Sequence, residues 1–425
     1  MRLALKLEEC IRVIKAVLVV SIVSMTAFVA GCGGGGGDSS SSSNNNNSGP
    51  SQQPIAANAP NTVAVTVGRG VANIINIPTI TVTVCQPGTT NCATINNVLL
   101  DTGSFGLRIV NSALGSLANS LPTQQATAGG VLAECTHFAD GFTWGTIRRA
   151  TVQISGETAT NIHIQVIGDM PDSTIPASGC VNGANENTAQ ALGANGIIGI
   201  GVAPIDCGPA CSVQANVAQF SNYYACPSGT NCQRTLAETT NQVANPVPNF
   251  AADNNGVIVQ MAPISSNGAA TATGTLVFGI GTQSNNGNAA GTTYTTDASG
   301  DLVNSTFNGK TTRTFMDSGS NGYFFQDSSL ALCSGNLSSF YCPGSPQTRQ
   351  VNLVGANGAT GTATVNITSA QTLLSNLNNF AFNNLAGQIG SVSAFDLGLP
   401  FFFGRYVYYG MDKRDSGGAA PFVAF

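Results

Sequence analysis

From residue 63 onward apolar residues fall at alternate positions: Val63, Val65 and Val67, then Ile80, Val82 and Val84, each with polar neighbours. A period of two sends successive side chains to opposite faces of an extended chain, so these runs predict half-buried strands. The segment Cys85-Gln86-Pro87-Gly88-Thr89-Thr90-Asn91-Cys92 predicts a hairpin turn whose return strand, residues 94–100, ends on Asp101. Further strands are predicted over residues 150–154, 162–167, 257–261, 274–279, 311–316, 363–367, 380–382, 406–409 and 421–425. Two other runs, Ile197-Ile198-Gly199 and Phe395-Asp396-Leu397-Gly398, place apolar residues before a glycine, which predicts a buried strand in close backbone contact. Residues 202–255, rich in Cys, Pro, Asn and Gln, read as a long disulfide-pinned insertion with one amphipathic helix near residues 235–243.

Composition agrees with this pattern. Only 8% of the 425 residues are charged, 42% are hydrophobic and 50 are glycine, a mixture that favours an all-β protein over helical bundles.

The amino terminus is different in kind. Arg2, Lys6, Arg12 and Lys15 precede an apolar run, residues 16–30, which is a secretory signal in form. The tetrapeptide Val29-Ala30-Gly31-Cys32 resembles the bacterial lipobox, in which the cysteine becomes the lipid-modified first residue of the mature chain. Gly33 after that cysteine implies, by resemblance to lipoprotein sorting rules, an outer-membrane address. Residues 33–61 begin with five glycines and continue through serines and asparagines. They read as a flexible tether reaching about 30 Å. The division expected is therefore signal 1–31, lipidated Cys32 and tether to 61, then two β-lobes over 62–255 and 256–425. Beyond residue 31, 11 Lys and Arg face 18 Asp and Glu, a net charge of −7. An acidic chain without basic clusters excludes a nucleic-acid partner.

Ten cysteines remain between Cys85 and Cys342, and an even number in an exported chain implies five disulfides. Sequence does not fix their connectivity. Cys85 with Cys92, Cys207 with Cys211, Cys226 with Cys232 and Cys333 with Cys342 bracket short polar turns, which leaves Cys135 for Cys180. With no C-x-x-C pair and only His137 and His163 as histidines, neither a metal nor another cofactor is expected.

The candidate chemistry lies in a motif that occurs twice. Val98-Leu99-Leu100-Asp101-Thr102-Gly103-Ser104 and Thr314-Phe315-Met316-Asp317-Ser318-Gly319-Ser320 each run an apolar strand into an acid and a glycine turn. Asp415-Ser416-Gly417 repeats the tripeptide but follows Lys413 and Arg414 in a polar tail, and it reads as a coincidence of composition. Two carboxyls brought about 3 Å apart share one proton, so that one serves as base and the other as acid. That pair activates water without a metal. No G-x-S-x-G, Walker motif or partnered histidine offers a rival, and Trp144 alone supplies no sugar platform.

On these residues the chain resembles the pepsin-like, two-domain aspartic peptidases over residues 62–425, and also a group of bacterial surface lipoproteins carrying the same core. The resemblance implies an all-β, two-lobed architecture with a cleft between pseudo-symmetric lobes. It implies Asp101 and Asp317 as the catalytic dyad, Ser104 and Ser320 bonding their outer oxygens, and Thr102 and Ser318 bonding across between lobes. Gly103 and Gly319 would approach the acids closely. Phe138-Ala139-Asp140-Gly141 with Thr143-Trp144-Gly145 is similar to the substrate-covering flap. Residues 196–201 and 397–402 are similar to the strands crossing beneath each acid. Three positions depart from the pattern: Phe138 stands where a tyrosine is usual, Arg108 where an aromatic is common, which places a cation at the cleft beside the substrate-binding flap residues Phe138, Asp140 and Gly141, and Asp396 within an apolar pair. The expectation is a monomeric, lipid-anchored aspartic-type endopeptidase of the cell envelope acting on peptide or protein substrates. A catalytically inactive binder of peptide or surface polymer and a structural envelope spacer stand as alternatives.

Overall fold

A computed structural model describes residues 52–425, so the signal segment, Cys32 and most of the tether lie outside the described residues. The chain is all-β: its strands form a sixteen-stranded and a seven-stranded sheet, and its helices are short. The alternation predicted from residue 63 sets the core. Val65, Val67, Ile80, Val82 and Val84 are at most 3% exposed, and each contributes about 1.5–3 kcal/mol by leaving water. The hairpin joins Pro78–Cys85 to Cys92–Asp101 with Cys85 opposite Cys92 across the ladder, where the two are disulfide-bonded.

All five disulfides join the cysteines that spacing had paired: Cys85 with Cys92, Cys135 with Cys180, Cys207 with Cys211, Cys226 with Cys232 and Cys333 with Cys342. Four close loops of nine residues or fewer. The fifth spans 45 positions and fastens Val131–His137 to the loop around Cys180.

The boundary expected at residue 255 does not separate the sheets. Thr62–Val67 pairs along its whole length with Ala272–Phe278, which pairs with Gly256–Met261, which pairs with Tyr406–Gly410. The larger sheet thus draws on both halves of the chain, whereas the smaller one comes entirely from residues 302–398. The last residues assigned to the tether are also held. Ile55 N–H donates to Gln260 Oε1 at 2.9 Å, and Ile55 O accepts the Thr275 hydroxyl at 2.6 Å.

Two local expectations are corrected. The amphipathic helix expected near residues 235–243 is reduced to a single 3-10 turn, Thr239–Asn241. The insertion instead carries Gln214–Phe220 as a helix and adds Tyr223–Cys226 to the large sheet beside Val131–His137. Residues 380–382 form no strand. Ala381 makes a single bridge to Ala269, and Phe382 packs in a satellite core with Phe324 and Phe340. Apolar runs this short state burial but not backbone direction.

Candidate active site

Cys92–Asp101 delivers Asp101 at its end, and the chain turns through Thr102, Gly103 and Ser104 into Phe105–Val110. Gly196–Ile200 runs between those two strands, parallel to the first and antiparallel to the second, with Gly199 opposite Asp101. The second copy repeats the arrangement. Ala394–Gly398 lies between Lys310–Asp317 and Tyr323–Phe325, parallel to the former, with Gly398 opposite Asp317. Both crossing glycines are required by contact. A β-carbon at Gly199 would stand 2.5 Å from Phe105 N, and one at Gly398 would collide with the Gly322 carbonyl.

Each acid is gripped by its own turn. Asp101 Oδ1 accepts the Gly103 N–H at 2.8 Å and Oδ2 the Ser104 hydroxyl at 2.5 Å. Asp317 Oδ1 accepts the Gly319 N–H at 2.7 Å and Oδ2 the Ser320 hydroxyl at 2.9 Å. The two turns are also bonded to each other. Thr102 Oγ1 donates to Met316 O at 3.1 Å and accepts the Ser318 N–H at 2.9 Å. Ser318 Oγ donates to Leu100 O at 2.7 Å and accepts the Thr102 N–H at 3.1 Å. These four reciprocal bonds join residues some 216 positions apart and lie out of water, where a lost partner costs about 1–3 kcal/mol.

The grip brings the acids together. A β-carbon at Gly103 would lie 2.5 Å from Asp317 Cγ, and one at Gly319 would lie 2.8 Å from Asp101 Oδ1. The two carboxyls are within hydrogen-bonding reach of one another. Asp101 is 7% exposed. Withdrawal from water, and then the negative charge of Asp101, hold the Asp317 carboxyl well above the usual carboxylate range. The third copy, Asp415-Ser416-Gly417, sits in an exposed surface turn.

Two groups that the motif search passed over complete the surroundings. Tyr409, arriving on Tyr406–Gly410, donates its phenol to Met316 O at 2.8 Å beneath the turns. A buried tyrosine in an apolar strand needs such a partner, which was the available signal. Asp396, noted only as a departure, is 4% exposed, hydrogen-bonded to Ser320, and has one carboxyl oxygen without a partner. Burial, reinforced by the charge of Asp317, holds it well above the usual range. It thus lies behind the Ser320 that binds Asp317, where its protonated form is favoured.

Phe138-Ala139-Asp140-Gly141 forms the turn of a hairpin between Val131–His137 and Gly141–Ile154, closed by Phe138 N–H to Gly141 O at 2.8 Å. Phe138 packs with Leu99 and Ile197. Leu99 lies two residues before Asp101 on the same face of its strand, so the hairpin tip reaches the apolar approach to the acid. Trp144 is wholly buried, edge-on to Tyr224, with its indole N–H on Thr174.

Arg108 does not line a substrate surface. It is 1% exposed, and its guanidinium is fully engaged by Glu134 at 2.8 Å, Asp206 at 2.9 Å, Thr136 at 2.9 Å and the Phe105 carbonyl at 2.7 Å. Burial and the neighbouring Glu134 push Asp206 well up. Burial also works against ionised Glu134, but the Arg108 charge and its hydrogen bonds outweigh it and hold Glu134 low. The protonated form of Asp206 and the ionised form of Glu134 are thus favoured beside the one cation, and the cluster ties Val131–His137 to Phe105–Val110. The histidines are also structural: His137 bonds the Cys180 carbonyl and His163 bonds Gln124. Among the described residues no three His, Cys, Asp or Glu side chains group to hold a metal ion.

Fold and site together define an all-β, disulfide-bonded protein with a buried pair of mutually held aspartates. The chain belongs to the family described as "Protein of unknown function (DUF3443)", which matches residues 57–425. No curated protein matches it.

Proposed function

We propose that this chain is a lipid-anchored, extracytoplasmic aspartic endopeptidase-like protein of pepsin-like, two-lobed design, with Asp101 and Asp317 as its catalytic pair. The observation that carries the reading is the reciprocal placement of the acids. Each is bound by its own Gly and Ser, and their turns are cross-bonded through Thr102 and Ser318. Two carboxyls this close hold a single proton between them. The ionised member takes a proton from a water while the protonated member, Asp317 in the free site, donates to the carbonyl oxygen of a peptide bond. The tetrahedral adduct then collapses with proton return to the leaving amine. Phe138, half-buried and packed against the core cluster of Leu99 and Ile197, offers its ring to a side chain next to the scissile bond.

The test is cleavage of unfolded peptide substrates by the mature chain across the acid range. The expected result is turnover at acid pH that falls by about a thousandfold or more in Asp101→Asn and in Asp317→Asn, with folding unchanged. Undiminished turnover in either variant overturns the assignment. Attachment is tested separately: Cys32→Ser should release the protein from the membrane fraction without altering peptide cleavage.

Phe138 favours a second reading. It brings an apolar ring but no hydroxyl to the hairpin tip, which suits a cleft that holds peptide or surface polymer without cutting it. A statine-type inhibitor that bridges both acids, with substrate turnover, supports the enzyme. Peptide binding that survives Asp101→Asn, with no turnover in the parent protein, supports the binder.

A further inference from the structure

A hollow of about 590 Å³ opens beside the seven-stranded sheet, within the size range of small-molecule sites. None of the residues that hold the acid pair lines it. Its lining is rich in amides and hydroxyls, and Arg405 is the single charged side chain in it.

Arg405 is built in rather than draped over the surface. Its guanidinium lies over the Phe401 ring at 4.2 Å, donates to the Phe401 carbonyl and lies beside the phenol of Tyr323. Among the described residues no carboxylate lies in ion-pair range of it, although five other arginines are so paired. Desolvating a cation without a counter-charge is costly, and burial depresses its pKa accordingly.

The neighbouring groups are donors too. Tyr323, in the same lining, carries a phenol proton to give. Asn366 accepts the Thr348 hydroxyl at 3.0 Å on its Oδ1, which leaves its Nδ2 hydrogens to give. Ile264, Pro400 and Phe403 supply an apolar wall.

We infer that this hollow binds a small organic monoanion through its carboxylate. Arg405 is the counter-charge, Tyr323 and Asn366 are further donors, and Ile264, Pro400 and Phe403 lie against the apolar part. One guanidinium neutralises one negative charge, and its planar fork matches a carboxylate in two parallel bonds. The shared chemistry belongs equally to the free C-terminus of a peptide and to a uronic acid. The inference is independent of any cleavage at Asp101 and Asp317.

Calorimetry and ligand-observed NMR on the mature chain decide it, using an N-acetylated apolar tripeptide acid, the same tripeptide as its C-terminal amide, and glucuronate. Saturable binding is expected for at least one acid, about tenfold or more tighter than for the amide where the tripeptide is the ligand. Arg405→Gln should remove it. Because Arg405 also braces the Phe401 turn, Asn366→Asp is the second variant: it keeps the acceptor for Thr348, adds a repelling charge and should weaken binding about tenfold without changing thermal stability. Which acid binds identifies the source. Equal binding of acid and amide, unchanged binding in both variants, or no binding of either acid at about 10 mM overturns the inference.

Discussion

Gly103 shows how narrowly single residues define the candidate site. A methyl group there would stand 2.5 Å from the Asp317 carboxyl carbon, closer than side-chain carbons approach one another. Gly103→Ala is therefore expected to force the acids apart, to lower stability by about 1–3 kcal/mol in denaturant unfolding, and to abolish peptide turnover. Thr102→Val removes a hydroxyl that both donates to Met316 O and accepts the Ser318 N–H. Met316 O keeps the Tyr409 phenol, but stranding the Ser318 N–H costs about 1–3 kcal/mol, measurable in the same unfolding experiment, whereas Thr102→Ser should restore most of it. Burial and the charge of Asp317 favour the protonated form of Asp396, so Asp396→Asn should leave stability almost unchanged. Were Asp396 an ionised partner of some cation, the same change would be strongly destabilising.

At the scale of elements, the two crossing strands carry the geometry. Each enters between the strand that ends in an acid and the strand that leaves it, and each puts a glycine opposite the acid. The hairpin that carries Phe138 is secured through Val131–His137 by the Arg108 cluster and by Cys135–Cys180. That disulfide closes the longest loop of the five, 45 positions, and on chain-entropy grounds contributes about 4 kcal/mol. The corresponding figure for Cys85–Cys92, with 7 positions, is about 2 kcal/mol. Replacing Cys135 and Cys180 by serine should therefore lower the unfolding free energy more than replacing Cys85 and Cys92. An equal loss would place the stabilisation in local packing.

For the molecule as a whole, the buried carboxyls set a pH dependence. Asp206, Asp317 and Asp396 are held well above the usual range, chiefly by burial. Asp301 is raised to about 7 by burial and by Asp297, and Glu157 to about 7 by burial and by Asp253. A carboxyl whose folded pKa is raised binds more protons folded than unfolded, so stability falls as pH rises towards that folded value. His163, lowered to about 4 by burial and by Arg149, acts in the opposite direction, but only below about pH 6.5. The melting temperature is thus expected to fall from pH 6.5 to pH 8.5 by scanning calorimetry, and to fall less in Asp396→Asn. A rise over that interval contradicts the assignment of these groups as buried acids.

What the sequence by itself determined is local. Alternation at Val63 to Val84 gave strands because a period of two needs no knowledge of the partner strand. The short cysteine spacings favoured partners close in sequence, but only the structure fixed the five pairs. The acid motif was recognisable twice because each turn satisfies its own carboxylate with a Gly N–H and a Ser hydroxyl two and three residues on. What only the tertiary structure decided is which of those groups meet. Sequence could not tell that Arg108 would be enclosed by Glu134 and Asp206, 26 and 98 positions away, rather than facing a ligand. Nor could it tell that Asp396 would stand behind Ser320, or that Ala272–Phe278 would pair with Thr62–Val67 across the expected boundary. These contacts hinge on strand pairing between distant segments, where many registers bury similar apolar surface. The winning one is chosen by the sum of packing and by buried polar groups finding partners, a property of the whole fold that no window of residues contains.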